Sequence, residues 1–499
     1  MRSPPRVPVR NLATDMRRID ASVTLGMLLA GCVMGPDYHR PPVDTPDAFL
    51  YEPQATATTA DLSWWKEFDD PVIEQLITEA LANNKDVKIA AANVQQAAGV
   101  VTSTRSPLFP QFSYQATGGR YKFSNQATTA LPSNITNPTD FYQVFAGASW
   151  EIDLWGRVRR LTESAQANLL ATEQARRGVI LSLVASVATD YLRLRGLDEQ
   201  LVMAERTRTT YAESLRLMEL KYRYGRVSEM NVEQARARYE TAAAQIPLIR
   251  RDIAILQDAL SILLGRNPGA IPRGKDIFAL TLPAVPPGLP SDLLERRPDL
   301  LQTEQQLVAA NAQIGAAKAQ YFPTISLTGT FGNASVDLNN LFSGPTRVWH
   351  FAGDIVGPIF AGGLIYGQVK QAEAVHDAAL LAYQQAIQRA FADVDDALIS
   401  RTELAEQVAA QERLVKALRG YARLAQYLYD GGREPYSTVL QAEEQLFPAE
   451  LNWAAAQAAL CVTAVDIYKA MGGGWVDTAA KFTEVESTAE SDAAKTPAR

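Results

Sequence analysis

The stretch Tyr222-Arg223-Tyr224-Gly225-Arg226 returns, 207 residues later, as Tyr429-Asp430-Gly431-Gly432-Arg433. Leu264-Gly265 and Met471-Gly472 keep the same spacing, as do Trp155-Gly156 and Gly362-Gly363. Upstream, Phe109-Pro110 and Phe322-Pro323 lie 213 residues apart. Self-similarity at a fixed distance sets the architecture before any local reading does. The difference of six must fall between the Phe-Pro and Gly landmarks, so the second half has the shorter loop there. Each half then reads as helix, Phe-Pro, two strands, Gly, very long helix, Gly turn, second long helix. A residue before proline is biased toward extended backbone, which suits Phe-Pro as a helix-to-strand junction.

From Gly156 to Tyr224 the pattern is helical and free of proline. Val187, Leu194, Leu201, Leu215 and Tyr222 fall on a seven-residue register, with Leu197, Ala204, Tyr211 and Met218 three residues on; Asp190 and Arg208 interrupt it. That is a heptad seam. The second half repeats it at Val394, Val408, Val415 and Tyr429, with Leu404 and Leu418 on the partner row. A helix of about 69 residues spans about 100 Å at 1.5 Å per residue. Antiparallel partners return over Ser228 to Leu264 and Pro435 to Met471.

The segments between the Phe-Pro and Gly landmarks alternate with period two. Phe112, Tyr114 and Ala116 face one way and Ser113, Gln115 and Thr117 the other. Tyr142, Val144, Ala146, Ala148, Trp150 and Ile152 form a second apolar row, although Phe141 and Phe145 join its polar face. Ile325, Leu327 and Phe331 alternate with Ser326, Thr328 and Thr330, and Trp349, Phe351 and Ile355 with His350 and Asp354. One apolar and one polar face suit a barrel with lipid outside and water inside. Trp150, Trp155, Tyr321 and Trp349 lie near strand ends, where interfacial aromatics collect. A soluble sheet packed on a core fits the strand pattern equally well; the export signal described next favours the barrel. Four strands cannot close a barrel, for which roughly eight is the small end, so the expected barrel is shared between chains.

Arg17 and Arg18 precede a short apolar stretch from Ala21 to Ala30, which ends in Leu29-Ala30-Gly31-Cys32. A positive segment, a brief apolar core and small residues before a cut describe a secretory signal over 1–31, with Met16 a candidate start. Leu-Ala-Gly-Cys resembles the bacterial lipobox, which makes Cys32 the acylated first residue of the mature chain; a chance cysteine after an ordinary signal is the alternative. The other cysteine, Cys461, sits in a helical apolar pattern and reads as a core residue.

Composition, 47% hydrophobic and 21% charged, is that of a folded chain. The formal charge is −7, and removal of residues 1–31, which carry five arginines and two aspartates, takes it to −10. Such an acidic chain without a basic block gives nucleic acid no electrostatic footing. No run approaches the roughly 20 apolar residues of a membrane-spanning helix. His39, His350 and His376 are far apart, with no metal-ligand spacing, no phosphate loop and no Gly-x-Ser-x-Gly. Gly472-Gly473-Gly474 reads as a helix stop. Asp393, Asp395 and Asp396 read as exposed or tunnel-lining positions of a long helix. No catalytic constellation, cofactor site or metal site is expected.

At this point the chain resembles the lipoprotein branch of the TolC-like outer membrane factors, the OprM/NodT type. The residues that carry the resemblance run in order. They are Cys32-Val33-Met34-Gly35-Pro36-Asp37-Tyr38 with Arg40-Pro41; Trp64-Trp65, Phe68, Asp70-Pro71 and Leu76-Ile77; Leu293 to Asp299; Ile314 to Lys318 with Phe322-Pro323; and Tyr468-Lys469-Ala470 with Gly472-Gly473-Gly474-Trp475. The resemblance implies a mixed α and β membrane protein. Three copies of four strands would form a 12-stranded transmembrane β-barrel continuous with a long α-helical periplasmic barrel. It divides the chain into a signal (1–31), an acylated N-terminal segment of the equatorial region (32–70), a first repeat (71–270), a linker (271–290), a second repeat (291–475) and a disordered tail (476–499).

By the same resemblance the protein is a passive exit duct of a tripartite efflux system for drugs or other small toxic molecules. Its partners would be a periplasmic adaptor, an RND-type inner-membrane pump and outer-membrane lipid. Val33 after the cysteine is compatible with sorting to the outer membrane of a Gram-negative bacterium. The tip would gate at Gly225, Arg226, Gly432, Arg433, Gln441, Glu443 and Glu444. The family's usual acidic gate position falls on Gln441 and a basic one on Glu444, so the customary closure chemistry is altered. Metal-ion efflux, type I secretion and a non-conducting envelope lipoprotein are the alternatives.

Overall fold

The computed structural model describes residues 33–43, 45–46, 49–51, 63–124, 136–283, 293–472 and 476. The expected signal 1–31, Cys32, Trp475 and, Val476 apart, the expected tail 476–499 lie outside the described residues. Helix α1 (Pro71–Asn83) and α2 (Lys85–Arg105) lead to strands β1 (Gln111–Tyr121) and β2 (Thr139–Ile152). Helices α3 (Arg157–Arg223) and α4 (Glu229–Leu263) follow. The second half runs through α5 (Pro298–Ala319), β3 (Thr324–Ser335), β4 (Arg347–Val356), α6 (Leu364–Asp430) and α7 (Tyr436–Ala470). Both α3 and α6 have 67 residues and both α4 and α7 have 35, each pair offset by 207. The segment between β1 and β2, 122–138, is six residues longer than the segment between β3 and β4, 336–346. The six-residue difference therefore falls between the two strands of each half. The return helices differ in one respect: Pro247 and Pro448 interrupt them at non-equivalent positions.

Two compact units result. The described residues of Met1–Pro41, Gln95–Leu170 and Glu304–Ala382 form the first, and those of Pro42–Val94, Ala171–Thr303 and Tyr383–Arg499 the second. The first holds an antiparallel meander in the order β1-β2-β3-β4. Directly paired residues share a face, so the register carries one apolar face across the sheet. Phe112 pairs with Ala148, Ala148 with Gly329, and Gly329 with Phe351. On the opposite face Ser113, Gly147, Thr330 and His350 stand in line. Phe145, an exception on that polar face, closes over Gly332, where an added Cβ would meet its ring at 2.5 Å. The apolar face is bare: Phe112, Tyr114, Trp349, Phe351 and Ile355 are exposed.

The N-terminal segment is fixed onto this unit by Arg160. Its side chain, 5% exposed, donates to the Met34 carbonyl (3.1 Å) and to Asp37 (2.7 Å) and pairs with Glu163 (2.8 Å). Gly35, at φ +93, lies against Gly315, where a Cβ would meet backbone at 2.4 Å.

The second unit has an apolar core around Trp64, Phe68, Tyr191, Val465 and Tyr468. Trp64 stacks on Tyr468 at 5.4 Å. Asp70 caps α1 through the Val72 amide (2.9 Å) and accepts from Tyr191 Oη (2.8 Å) and the Lys275 amide (3.1 Å). The Asp70-Pro71 motif is therefore a buried hub, with Pro71 at the first helical position where its missing N–H costs nothing.

Arg297 explains the Arg-Pro-Asp motif in the same way. It donates to Asp299 (2.7 Å), Asp393 (2.8 Å) and the Ala470 carbonyl (3.1 Å), and it leaves no room for a side chain at Gly472. Asp393 is thus engaged by Arg297, and Asp395 accepts the Leu50 amide (2.9 Å). Asp393 and Asp396 are exposed, as expected for this helix, and Asp395 is half-buried; what the sequence does not reveal is that the partners of Asp393 and Asp395 are remote in the chain. No helix among the described residues is long and apolar enough to cross a membrane.

Candidate functional site

The two helix-to-helix turns have one backbone construction. Gly225 and Gly432 both sit at φ +68, a left-handed conformation that glycine adopts without a Cβ penalty. The Arg226 amide reaches the Lys221 carbonyl (2.8 Å) and the Gly225 amide that of Tyr222 (2.8 Å); Arg433 to Leu428 (2.9 Å) and Gly432 to Tyr429 (2.9 Å) repeat the pattern. These are Schellman closures, which satisfy the last carbonyls of α3 and α6. Arg226 and Arg433 are exposed in the turns, and so are Gln441 and Glu444 on α7.

Behind the turns the four helices meet. Met218 of α3, Val232 and Ala235 of α4, Ala425 of α6, and Tyr436 and Val439 of α7 form one apolar cluster. Lys221 donates to Tyr429 Oη (3.1 Å) across the two hairpins, and Tyr429 lies 5.1 Å from the Tyr436 ring.

Four polar links lie further along. Glu443, half-buried, pairs with Arg238 of α4 (2.8 Å), and its carbonyl accepts from Tyr211 Oη of α3 (3.1 Å). Burial pushes the Glu443 carboxyl up, and Arg238 pulls it back. Glu450, 3% exposed, accepts from Arg206 of α3 (3.0 Å) and Arg419 of α6 (2.7 Å). A carboxylate between two guanidinium groups is held by charge-assisted hydrogen bonds, the strong kind. Gln441, Glu443 and Glu444 also line a cleft of about 690 Å³ between α4 and α7, with Gln234, Arg238 and Phe447.

Of the sequence-predicted tip residues, Glu443 is a structural tie. Gln441 and Glu444 share its cleft; the glycines and arginines form the turns. Arg206, Arg238, Arg419 and Glu450 escaped the sequence reading. Tyr436, Glu443 and Glu450 are spaced by seven, so one face of α7 carries all three, and that spacing is the signal that could have found Glu450.

Among the aromatics, Trp349 (65% exposed) lies opposite Phe331 near the β3–β4 turn, and Trp150 and Tyr321 lie toward the other end of the strands. Trp155 lies past β2, stacks on Phe322 at 4.5 Å and donates to the Pro323 carbonyl (2.8 Å), so its ring packs the junction. Cys461 is buried, its thiol pushed up to about 12 by burial, which marks an inert core residue. Among the described residues no cluster of His, Cys, Asp or Glu could hold a metal ion.

A two-faced sheet with unpaired edges and two long helical hairpins is the arrangement of a known group of channels. The model of the family described as "Outer membrane efflux protein" matches residues 76–266 and 289–473. The chain belongs to this family. The solvent efflux pump outer membrane protein SrpC of Pseudomonas putida is 38% identical over 457 residues, 90% of this chain and 97% of that protein. The cation efflux system protein CusC of Escherichia coli is 34% identical over 460 residues, 90% of this chain and 97% of that protein. The crystal structure of the open state of the Neisseria gonorrhoeae MtrE outer membrane channel superposes with a TM-score of 0.80 at 32% identity, covering 89% of this chain and 99% of that one. This outer membrane efflux protein is therefore a channel component of an efflux system in the outer membrane of a Gram-negative bacterium, and not an enzyme.

Proposed function

We propose that three copies of this chain form a 12-stranded transmembrane barrel that serves as the passive exit duct of a tripartite pump, with an adaptor and an RND-type inner-membrane pump supplying drive and selection. The observation that carries this reading is the sheet itself. Its four strands share one bare apolar face and one polar face, and β1 and β4 are edge strands. Open edges are not tolerated in a bilayer, so further strands must come from other copies. Strands of 10–14 residues are long enough to cross a bilayer at a tilt.

The cargo class favoured is small organic molecules, by similarity to the solvent efflux protein. Cation efflux is the second reading, supported by similarity to the cation efflux system protein CusC. Acylation at Cys32 would anchor the duct: Val33, the next residue, packs on Gly156 between β2 and α3, at the membrane-proximal end of the strands. The hairpin turns at Gly225 and Gly432, with Arg226, Arg433, Gln441, Glu443 and Glu444, are the gate end.

The test is mass by light scattering followed by planar-bilayer conductance. A trimer with small currents that rise on Arg238→Ala or Glu443→Ala supports the gated duct. A monomer, or a trimer that stays silent in these variants, overturns it.

A further inference from the structure

We propose that β4 of one copy pairs with β1 of the next in one defined register, with Asp354 opposite Thr117 and Ile355 opposite Ala116. The inference rests on the shared-barrel reading above and specifies how its copies join.

The hairpins inside the chain obey a single rule. Adding 213 to a β1 position and 207 to its β2 partner yields an observed β3–β4 pair. Gln111 opposite Ser149 becomes Thr324 opposite Val356, and Phe112 opposite Ala148 becomes Ile325 opposite Ile355. The offsets come from Phe-Pro and Gly landmarks outside the strands, yet they reproduce the register. The central pairing joins the second strand of one half to the first strand of the other, with Gly147 opposite Thr330 and Ala148 opposite Gly329. Carried forward by the same offsets, these two pairs become Asp354 with Thr117 and Ile355 with Ala116. Because β1 and β4 are the two edges of one sheet, the β1 that meets β4 belongs to a second copy.

Three further observations agree with this register. The faces match: Ile355 and Ala116 both lie on the apolar face, and Asp354 and Thr117 both on the polar one. A slip of one residue would turn Asp354 toward lipid. The ladder has a natural end, since Pro358, two residues past β4, has no N–H to donate. Beyond it, Ile359 (104% exposed) comes beside Phe112, as Ile152 lies beside Ile325 within the chain.

The stagger also sets the tilt of the strands. Gln111 leads through Ser149 to Thr328, four residues past its repeat equivalent Thr324, which is two residues per strand step. With about 3.3 Å per residue and about 4.8 Å between strands, that stagger tilts the strands by roughly 54°. Strands tilted so steeply call for more than the about 9–11 residues needed at about 45°; β2 and β3, with 14 and 12, exceed that range, and β1 and β4, with 11 and 10, lie within it.

Disulfide trapping in isolated outer membranes tests the register, using the full chain with Cys461→Ala. Asp354→Cys with Thr117→Cys places thiols on the lumen face, and Ile355→Cys with Ala116→Cys on the lipid face. Neighbouring antiparallel pairs alternate between wide and close spacing, so one of the two has bridging geometry. If one pair disturbs assembly, the other still reads the register. The expected result is a cross-linked dimer and trimer ladder from at least one pair, about tenfold stronger than from the two-residue slips Asp354→Cys with Gln115→Cys or with Gly119→Cys. A slip pair that cross-links best overturns the register and leaves the barrel standing. A trimeric mass without any cross-link also overturns the register. A monomeric mass overturns the barrel reading itself.

Discussion

The junctions after β2 and after β4 stand at equivalent places in the chain and are finished in opposite ways. After β2, Asp153 accepts the Val158 and Arg159 amides (3.0 and 2.9 Å) and so caps α3. Trp155 stacks on Phe322, and Val33 covers Gly156. After β4, Phe360 stands where Asp153 stood and Gly362 where Trp155 stood. Ile359 and Phe360 are exposed there, and nothing lies within 4 Å of a Cβ added at Gly362 or Gly363. The backbone landmarks are kept while the packing partners are gone. A duplicated framework can thus be sealed by its own chain at one junction and left uncovered at the other.

Removing the seal should have the largest effect. Arg160→Ala deletes the donor to the Met34 carbonyl and to Asp37, and is expected to cost about 2–4 kcal/mol and to release residues 33–38. Hydrogen exchange over that segment reads it; unchanged protection would mean that Arg160 does not seal the junction. Next comes a matched pair. Gly156→Ala and Gly363→Ala both force a side chain into positive φ, at roughly 1–2 kcal/mol. Only Gly156→Ala also drives a Cβ to 2.8 Å from Val33, so it should lose about 1 kcal/mol more in the detergent-dispersed single chain. Equal losses in urea unfolding would erase the contrast.

Trp155→Phe keeps the stack on Phe322 but loses the bond to the Pro323 carbonyl, for about 1 kcal/mol. A larger loss would move the sealing role from Arg160 to the indole. The smallest effect is a control outside both junctions. Burial and the neighbouring Asp276 carboxylate raise Glu199 to about 7, against the pull of Arg206 and Arg195. A carboxyl raised in the folded state contributes stability below its unfolded value of 4.5, and that contribution is lost as pH rises through about 7. Glu199→Gln should flatten this decline, by well under about 1.4 kcal/mol per pH unit because the side chain is partly solvated. Melting curves at about pH 5 and about pH 8 would show it, and both junction contrasts should persist at each pH.

Much of the fold was legible because it rests on periodicity. Alternation at Phe112, Tyr114 and Ala116 marked a strand and its face, and the glycine spacings marked both turns. The polar anchors were not legible. In sequence Arg160 looks like its half-buried neighbours Arg157 and Arg159 on one helix start, and only the fold brings Met34, over a hundred residues away, against it. Arg297 and Glu450 are hidden for the same reason: a charge pattern along a helix does not tell which charge faces another helix. So are the contacts of Asp393 with Arg297 and of Asp395 with the Leu50 amide. At the tip, the turns came from sequence, while the ties from Arg238, Arg206 and Arg419 came from packing.

The closures at Gly225 and Gly432 have a mechanical consequence. Each pairs carbonyls of its helix's last turn, Lys221 and Tyr222 in one and Leu428 and Tyr429 in the other, so unwinding either turn must first break these bonds. Force applied there is transmitted along the helices as through a stiff lever. It reaches the links of Glu443 with Arg238 and of Glu450 with Arg206 and Arg419, where bonds between separate helices can yield while the turns keep their shape.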